Sequence, residues 1–227
     1  FCSLLLGLSL AFKHLLFIFP IWLAIKENKF YRKILVILIP YSIFALAFIF
    51  YLPDQSNEIL KDVFGYRSMD NGPFWSIFTP QFFGSYIGYY NLFIIAILFL
   101  GFFVEEKKVL ESFFIYLIAI VTFSSAVANQ YLAIPIVAMA VYWSPYFVLY
   151  TIVCTIFFTI DHHALDNPEI KEMLNWSRKK ARIGYKIIIF FISIGLLEIL
   201  IGKNKLNKFY KTISNWTIKK FKNQLKF

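Results

Sequence analysis

Long apolar blocks separated by short charged stretches organise this chain. Seven blocks are read: about Phe1 to Ile25, Ile34 to Leu52, Tyr86 to Val104, Val109 to Ala126, two within 129–160, and Tyr185 to Ile201. They show neither strict alternation nor a heptad repeat, so neither a half-buried sheet nor a coiled coil is expected. A helix crossing the hydrocarbon core of a bilayer needs about 20 apolar residues, and several blocks reach that length. The pattern predicts an all-α fold: a polytopic transmembrane bundle of about seven helices, two of them short.

The breaks between blocks carry the rest of the organisation. "KENKFYRK" closes the first block and "EEKK" the third, while a long polar and aromatic connection runs from Pro53 to Ser85. Within 129–160, Pro145 of "WSP" disfavours the helical region for the residue before it. Two short helices, about 129–143 and 146–160, are therefore expected instead of one kinked span. The polar segment 161–184 precedes the last block. The first 202 residues form one transmembrane domain, and residues 203–227 a separate basic tail. In that tail Leu206, Phe209, Ile213, Trp216 and Leu225 recur at helix-like spacing among eight lysines. Such a segment lies on an anionic lipid surface as an amphipathic helix. The chain opens inside an apolar run with no charged leader. The expectation is a piece of a longer membrane protein whose N-terminal part is missing.

Composition sharpens this picture. Hydrophobic residues make up 59% and charged residues 16% of the 227 positions, where a soluble domain carries about 25% charge. The net charge of +10 is concentrated between the blocks and in the tail. That distribution follows membrane topology and headgroup attraction, and gives no reason to invoke nucleic acid. Cys2 and Cys154 fall inside apolar blocks without metal or disulfide spacing. By the positive-inside rule, "KENKFYRK" and the tail lie on the cytoplasmic side, with 53–85, the 129–130 pair and 161–184 outside. Arg178, Lys179, Lys180 and Arg182 then stand outside, against the rule.

Few residues in such a sequence carry chemistry. Lys13 and His14 interrupt the first block, and an ionisable group at bilayer depth is costly unless it faces protein or water. Lys13 is expected near mid-depth of a spanning helix, on a cavity wall or snorkelling to a headgroup. In the 53–85 loop, Arg67 suits bidentate capture of a phosphate. Asp62 and Asp70 flank it; such a pair suits a divalent metal, a general base or an ion pair with Arg67, and no cofactor is otherwise indicated. Asn129, Gln130 and Tyr131 offer amides and a phenol at an outer helix end, suited to a hydroxyl-rich ligand or to capping and interface anchoring. "DHHALD" (Asp161, His162, His163, Asp166) is a poor metal set, since adjacent histidines are awkward ligands for one ion. Asn175 and Asn215 stand in glycosylation-type triplets, which matter only in a secretory pathway.

"LSLAFKHLLFIFPIWLA", "VFGYRSMDNGPFWSIF" and "SSAVANQYLAIPIVAMAVYWSP" together resemble the C-terminal half of the GT-C membrane glycosyltransferases. The likeness is strongest to mannosyltransferases of the glycosylphosphatidylinositol-pathway type and their prokaryotic relatives. Lys13 and Pro20 match one recurring helix pattern of that group; Gln130, Tyr131 and Pro135 match another. The resemblance implies sugar transfer from a polyprenyl-phosphate carrier to an acceptor on the extracytoplasmic side, with a carboxylate base. It implies substrate-binding roles for Lys13, Arg67, Asp70, Asn129, Gln130 and Tyr131. The family's catalytic Asp belongs to its N-terminal half and has no counterpart here. An integral, multi-pass location follows, in a prokaryotic plasma membrane by preference or in the endoplasmic reticulum membrane. A transporter or flippase for a lipid-linked or small polar solute is the alternative, since buried Lys and His also suit a transport path.

Overall fold

A computed structural model describes residues 2–49, 72–78, 86–125, 129–160 and 165–202. Among them every regular element is helical: α1 Cys2–Phe12, α2 Phe19–Lys26, α3 Phe30–Phe48, α4 Pro73–Phe78 and α5 Tyr89–Phe103. The chain continues through α6 Val109–Phe123, α7 Ile136–Val141, α8 Pro145–Ile160, α9 Pro168–Met173 and α10 Arg178–Ile201. Two 3-10 turns, His14–Leu16 and Asn129–Ala133, stand just ahead of α2 and α7. The tail 203–227 and the loop carrying Arg67 lie outside the described residues.

Burial explains the arrangement. Helix α6 is the axis: Ile115, Tyr116, Ile118, Ala119 and Val121 are all buried, and it packs against α2, α4, α5, α7 and α10. Helix α10 also lies along α8, while α3 is set to one side on α1 and α2. Outward faces are apolar too, with Leu35 and Leu38 on α3, Phe99 and Phe102 on α5, and Ile152 and Ile156 on α8 exposed. A protein apolar both inside and out gains little by burying one face against water, which is the condition met in lipid.

Among the described residues, α3 and α10 are long and apolar enough to cross a membrane. The seven-helix expectation goes further than this. Helices α5 and α6 have 15 residues each, which rise about 22 Å against a core about 30 Å thick. The blocks are shortened where the backbone is interrupted. Gly88 precedes α5 with φ of +80°, a conformation that favours glycine, and Pro145 opens α8. The expected division of 129–160 at Pro145 holds, but in place of a helix over 129–143 the structure has the 3-10 turn Asn129–Ala133 followed by α7, joined to α8 through Tyr142, Trp143 and Ser144.

Several boundaries differ from the sequence expectation; α3 starts at Phe30 and not at Ile34. Helix α10 starts at Arg178, two turns before Tyr185, because Ser177 caps it by accepting from the Lys180 N–H at 3.4 Å. The segment 161–184 is thus partly helical, and it also contains α9, capped by Asn167 and opened by Pro168. The larger correction concerns the first block, which is not one spanning helix. Gly7 packs on Pro40 and Ile43 while Phe17 packs on Tyr41 and Phe44, all within about one turn of α3. A continuous helix would advance about 15 Å between those two positions. Pro20 is the cause: it has no N–H to donate to the Leu16 carbonyl, and its ring would crowd that carbonyl in a continuous helix.

One end of the bundle is closed by polar links. The Lys26 ammonium, at the end of α2, donates to the carbonyls of Val104, Glu105 and Lys107, the latter two at 2.7 Å. It uses all three of its N–H donors on the carbonyl that caps α5 and on two in the turn just beyond, close to a helix C-terminus that favours a cation. Desolvation at this site pushes the Lys26 ammonium below its ordinary pKa, opposed by the Glu105 and Glu111 carboxylates. Ser144 donates to the Glu198 carboxylate, which brings the α7–α8 joint and the end of α10 together.

Candidate functional site

Two interrupted segments, 13–18 and 129–135, build the site. A broken helix frees backbone groups, and in an apolar interior each freed group needs a partner. Hydroxyls from neighbouring helices supply them. Tyr116 of α6 donates to the Leu15 carbonyl at 3.1 Å and accepts from the Ile18 N–H at 3.3 Å. Tyr41 of α3 donates to the Phe17 carbonyl at 2.6 Å. The second break has the same construction: Tyr150 of α8 donates to the Leu132 carbonyl at 2.6 Å, just ahead of Pro135.

Rings fix the first break in place. Tyr116 meets Trp22 edge to face with centroids 5.1 Å apart, and Trp22 donates from Nε1 to the Ile97 carbonyl at 2.9 Å. Removing the Tyr116 hydroxyl takes this partner from one buried and one part-buried backbone group, at a cost of about 1–3 kcal/mol. Tyr116→Phe is therefore expected to lower the thermal midpoint of the purified protein in detergent. An unchanged midpoint would show that the break is held without this hydroxyl.

Lys13 stands at the head of the first break, where α1 ends. Its backbone N–H still donates to the Ser9 carbonyl at 2.9 Å, and its side chain is exposed. It thus occupies a helix end and not the middle of a spanning helix as expected. Its ammonium lies 5.3 Å from the centroid of the Tyr131 ring, which belongs to the second break. Two of the residues singled out in the sequence, 118 positions apart, are thereby brought together. Cation–π contact of this kind is worth about 0.5–1 kcal/mol at an exposed position.

The other sequence candidates are placed less fully. Gln130 is exposed beside Tyr131, and Asn129 begins the same 3-10 turn. Arg67, Asp62 and Asp70 lie outside the described residues, as do residues 161–164 of "DHHALD". Asp166 of that motif, just ahead of α9, pairs with Lys171 in its last turn. Among the described residues no group of three His, Cys, Asp or Glu side chains is gathered for a metal ion. Sequence reasoning missed Tyr41, Tyr116 and Tyr150, because nothing marks these three among fourteen tyrosines. It also passed over Glu198, a lone carboxylate in "IGLLEILIG" that offered a visible signal.

Among the described residues these features define an all-helical protein with two helices able to span a membrane and a cation–aromatic pair at the meeting of two proline-bounded breaks. No protein-family model, curated protein or solved structure matches the chain.

Proposed function

We propose that this chain is part of a multi-pass membrane glycosyltransferase that transfers a sugar, mannose in the first instance, from a polyprenyl-phosphate carrier to an acceptor on the extracytoplasmic side. The observation that carries the reading is the Lys13–Tyr131 pair. A cation at a helix break, beside an aromatic face and an exposed amide of Gln130, offers charge for a phosphate and a surface for a sugar ring. In the transfer, the acceptor oxygen bonds to the anomeric carbon as the bond to the carrier phosphate breaks. The phosphate leaves with the electron pair, and the hydroxyl proton passes to a carboxylate base. Lys13 stabilises the departing charge. Arg67 and Asp70 belong to the same donor site in this reading, as do Asn129 and Gln130. A divalent metal joins them only if the 53–85 carboxylates hold one.

In this reading short, apolar-faced helices complete a seven-helix membrane bundle around α3 and α10, and the Lys26 turn and the 203–227 tail belong to the cytoplasmic, anionic side. Membranes containing the full-length protein are expected to transfer radiolabel from polyprenyl-phosphate mannose to a lipid or protein acceptor. Absence of transfer with every polyprenyl-phosphate sugar offered would refute the enzyme reading. Arg67→Ala is expected to raise the donor concentration needed for half-maximal transfer on the order of 10- to 100-fold, since one charge-assisted phosphate contact contributes about 1.5–3 kcal/mol. An unchanged donor dependence removes Arg67 from the site.

The paired breaks also favour a second reading. Discontinuous helices facing one another form the binding sites of many secondary transporters. Proteoliposomes separate the two: a transporter moves a lipid-linked or polar solute across the bilayer without forming a glycosylated product.

A further inference from the structure

Helices α8 and α10 leave an outward-facing groove of about 220 Å³ lined by Val153, Ile156, Phe157, Ile183 and Ile187, with Trp176 and Lys180 also in its lining. Its base is the backbone at Gly184, where a Cβ would come within 2.6 Å of the Phe157 ring. Its aliphatic stretch, Val153, Ile156, Ile183 and Ile187, offers water no hydrogen-bonding partner, whereas a hydrocarbon chain gains dispersion contacts along it. The groove is continuous with exposed Ile152 and Ile156 of α8 and Ile183 and Ile187 of α10, so its occupant comes from the surrounding lipid.

Position along α10 sets the polarity of that occupant. Trp176 and Lys180 stand at the start of the helix, and Ile183 and Ile187 follow one and two turns further in. Trp is favoured at headgroup level, with aliphatic side chains deeper. The Lys180 ammonium donates to the Leu174 carbonyl at 2.7 Å, which uses one of its three N–H donors. Lys179, Arg182 and Lys186 are exposed on the same two turns. Lys179, Lys180 and Arg182 belong to the cluster that runs against the positive-inside rule, and an anionic ligand at Lys180 gives that cluster a local role.

We propose that this groove binds an anionic phospholipid of the bilayer, one acyl chain lying along Val153, Ile183 and Ile187 and the phosphate at Lys180. The site rests on the membrane location and is independent of sugar transfer.

Native mass spectrometry of the detergent-purified full chain, incubated with phosphatidylglycerol or phosphatidylcholine of equal chain length, tests it. Wild type is expected to retain phosphatidylglycerol at least threefold over phosphatidylcholine. Lys180→Gln should remove that preference. Ile156→Trp, which fills the groove from its exposed side and keeps Lys180, should lower retention of both lipids. Equal retention of the two lipids by wild type overturns the proposal, as does an undiminished preference in Lys180→Gln. If Ile156→Trp retains both lipids at wild-type levels, the groove holds no chain. Displacement of phosphatidylglycerol by an equimolar polyprenyl phosphate assigns the groove to the carrier and likewise overturns it.

Discussion

Lys13→Leu is expected to reduce sugar transfer by the full-length protein on the order of 100-fold or more, while membrane insertion and thermal midpoint stay near wild type. In the proposed donor site Lys13 is a preorganised group that stabilises developing charge, and removing such a group typically costs a factor of about 10²–10³ in rate. Stability should change little. The Lys13 side chain is exposed, and its contact with Tyr131 contributes about 0.5–1 kcal/mol at most. Leu also relieves the cost of a charge beside apolar surface. Lys13→Arg keeps the charge and should retain part of the activity. Full activity in the Leu variant would reduce Lys13 to a residue that snorkels from a helix end, with Tyr131 as its resting place.

Gly195→Ala should have the largest effect on stability. A Cβ at this position of α10 would stand 2.1 Å from Cε1 and 2.5 Å from Cδ1 of Phe147, far inside van der Waals contact. Phe147 is 2% exposed and has no open space into which to swing. Alanine improves helix propensity by about 1 kcal/mol, yet forcing atoms into a packed contact costs about 1–3 kcal/mol and more when the ring cannot move. Separation of α8 from α10 would also pull Ser144 from Glu198. The expected result is a loss of about 2 kcal/mol, read as a lowered thermal midpoint and reduced accumulation in membranes. Phe147→Leu in the same chain should restore part of it, because the two changes act on one contact. A midpoint equal to wild type for the single variant would mean that α8 and α10 do not approach this closely.

Both predictions depend on features unequally visible along the chain. Pro20 and Pro145 are local signals, since a ring without an N–H interrupts a helix whatever surrounds it. Pro145 accordingly located the α7–α8 joint, whereas the break before Pro20 was overlooked because apolar residues on both sides made 1–25 look like one span. Tyr131 was visible as a polar-tipped residue at an outer helix end. Its partnership with Lys13 was not, for no spacing rule connects positions 118 apart. The same holds for Gly195 and Phe147: a glycine in a helix raises the question of close approach, and only the fold names what approaches.

The apolar blocks by themselves determined that the chain is helical and where most helices end, because a backbone rich in apolar residues satisfies its own hydrogen bonds most readily as helix. They also fixed the charged turn at Lys26 and the exposed apolar faces. Tertiary structure alone decided that α6 is the axis, that three tyrosine hydroxyls repair two broken segments, and that Lys13 rests on Tyr131. Helix formation depends on neighbours three and four residues away, whereas these pairings depend on which faces meet when all the helices pack together.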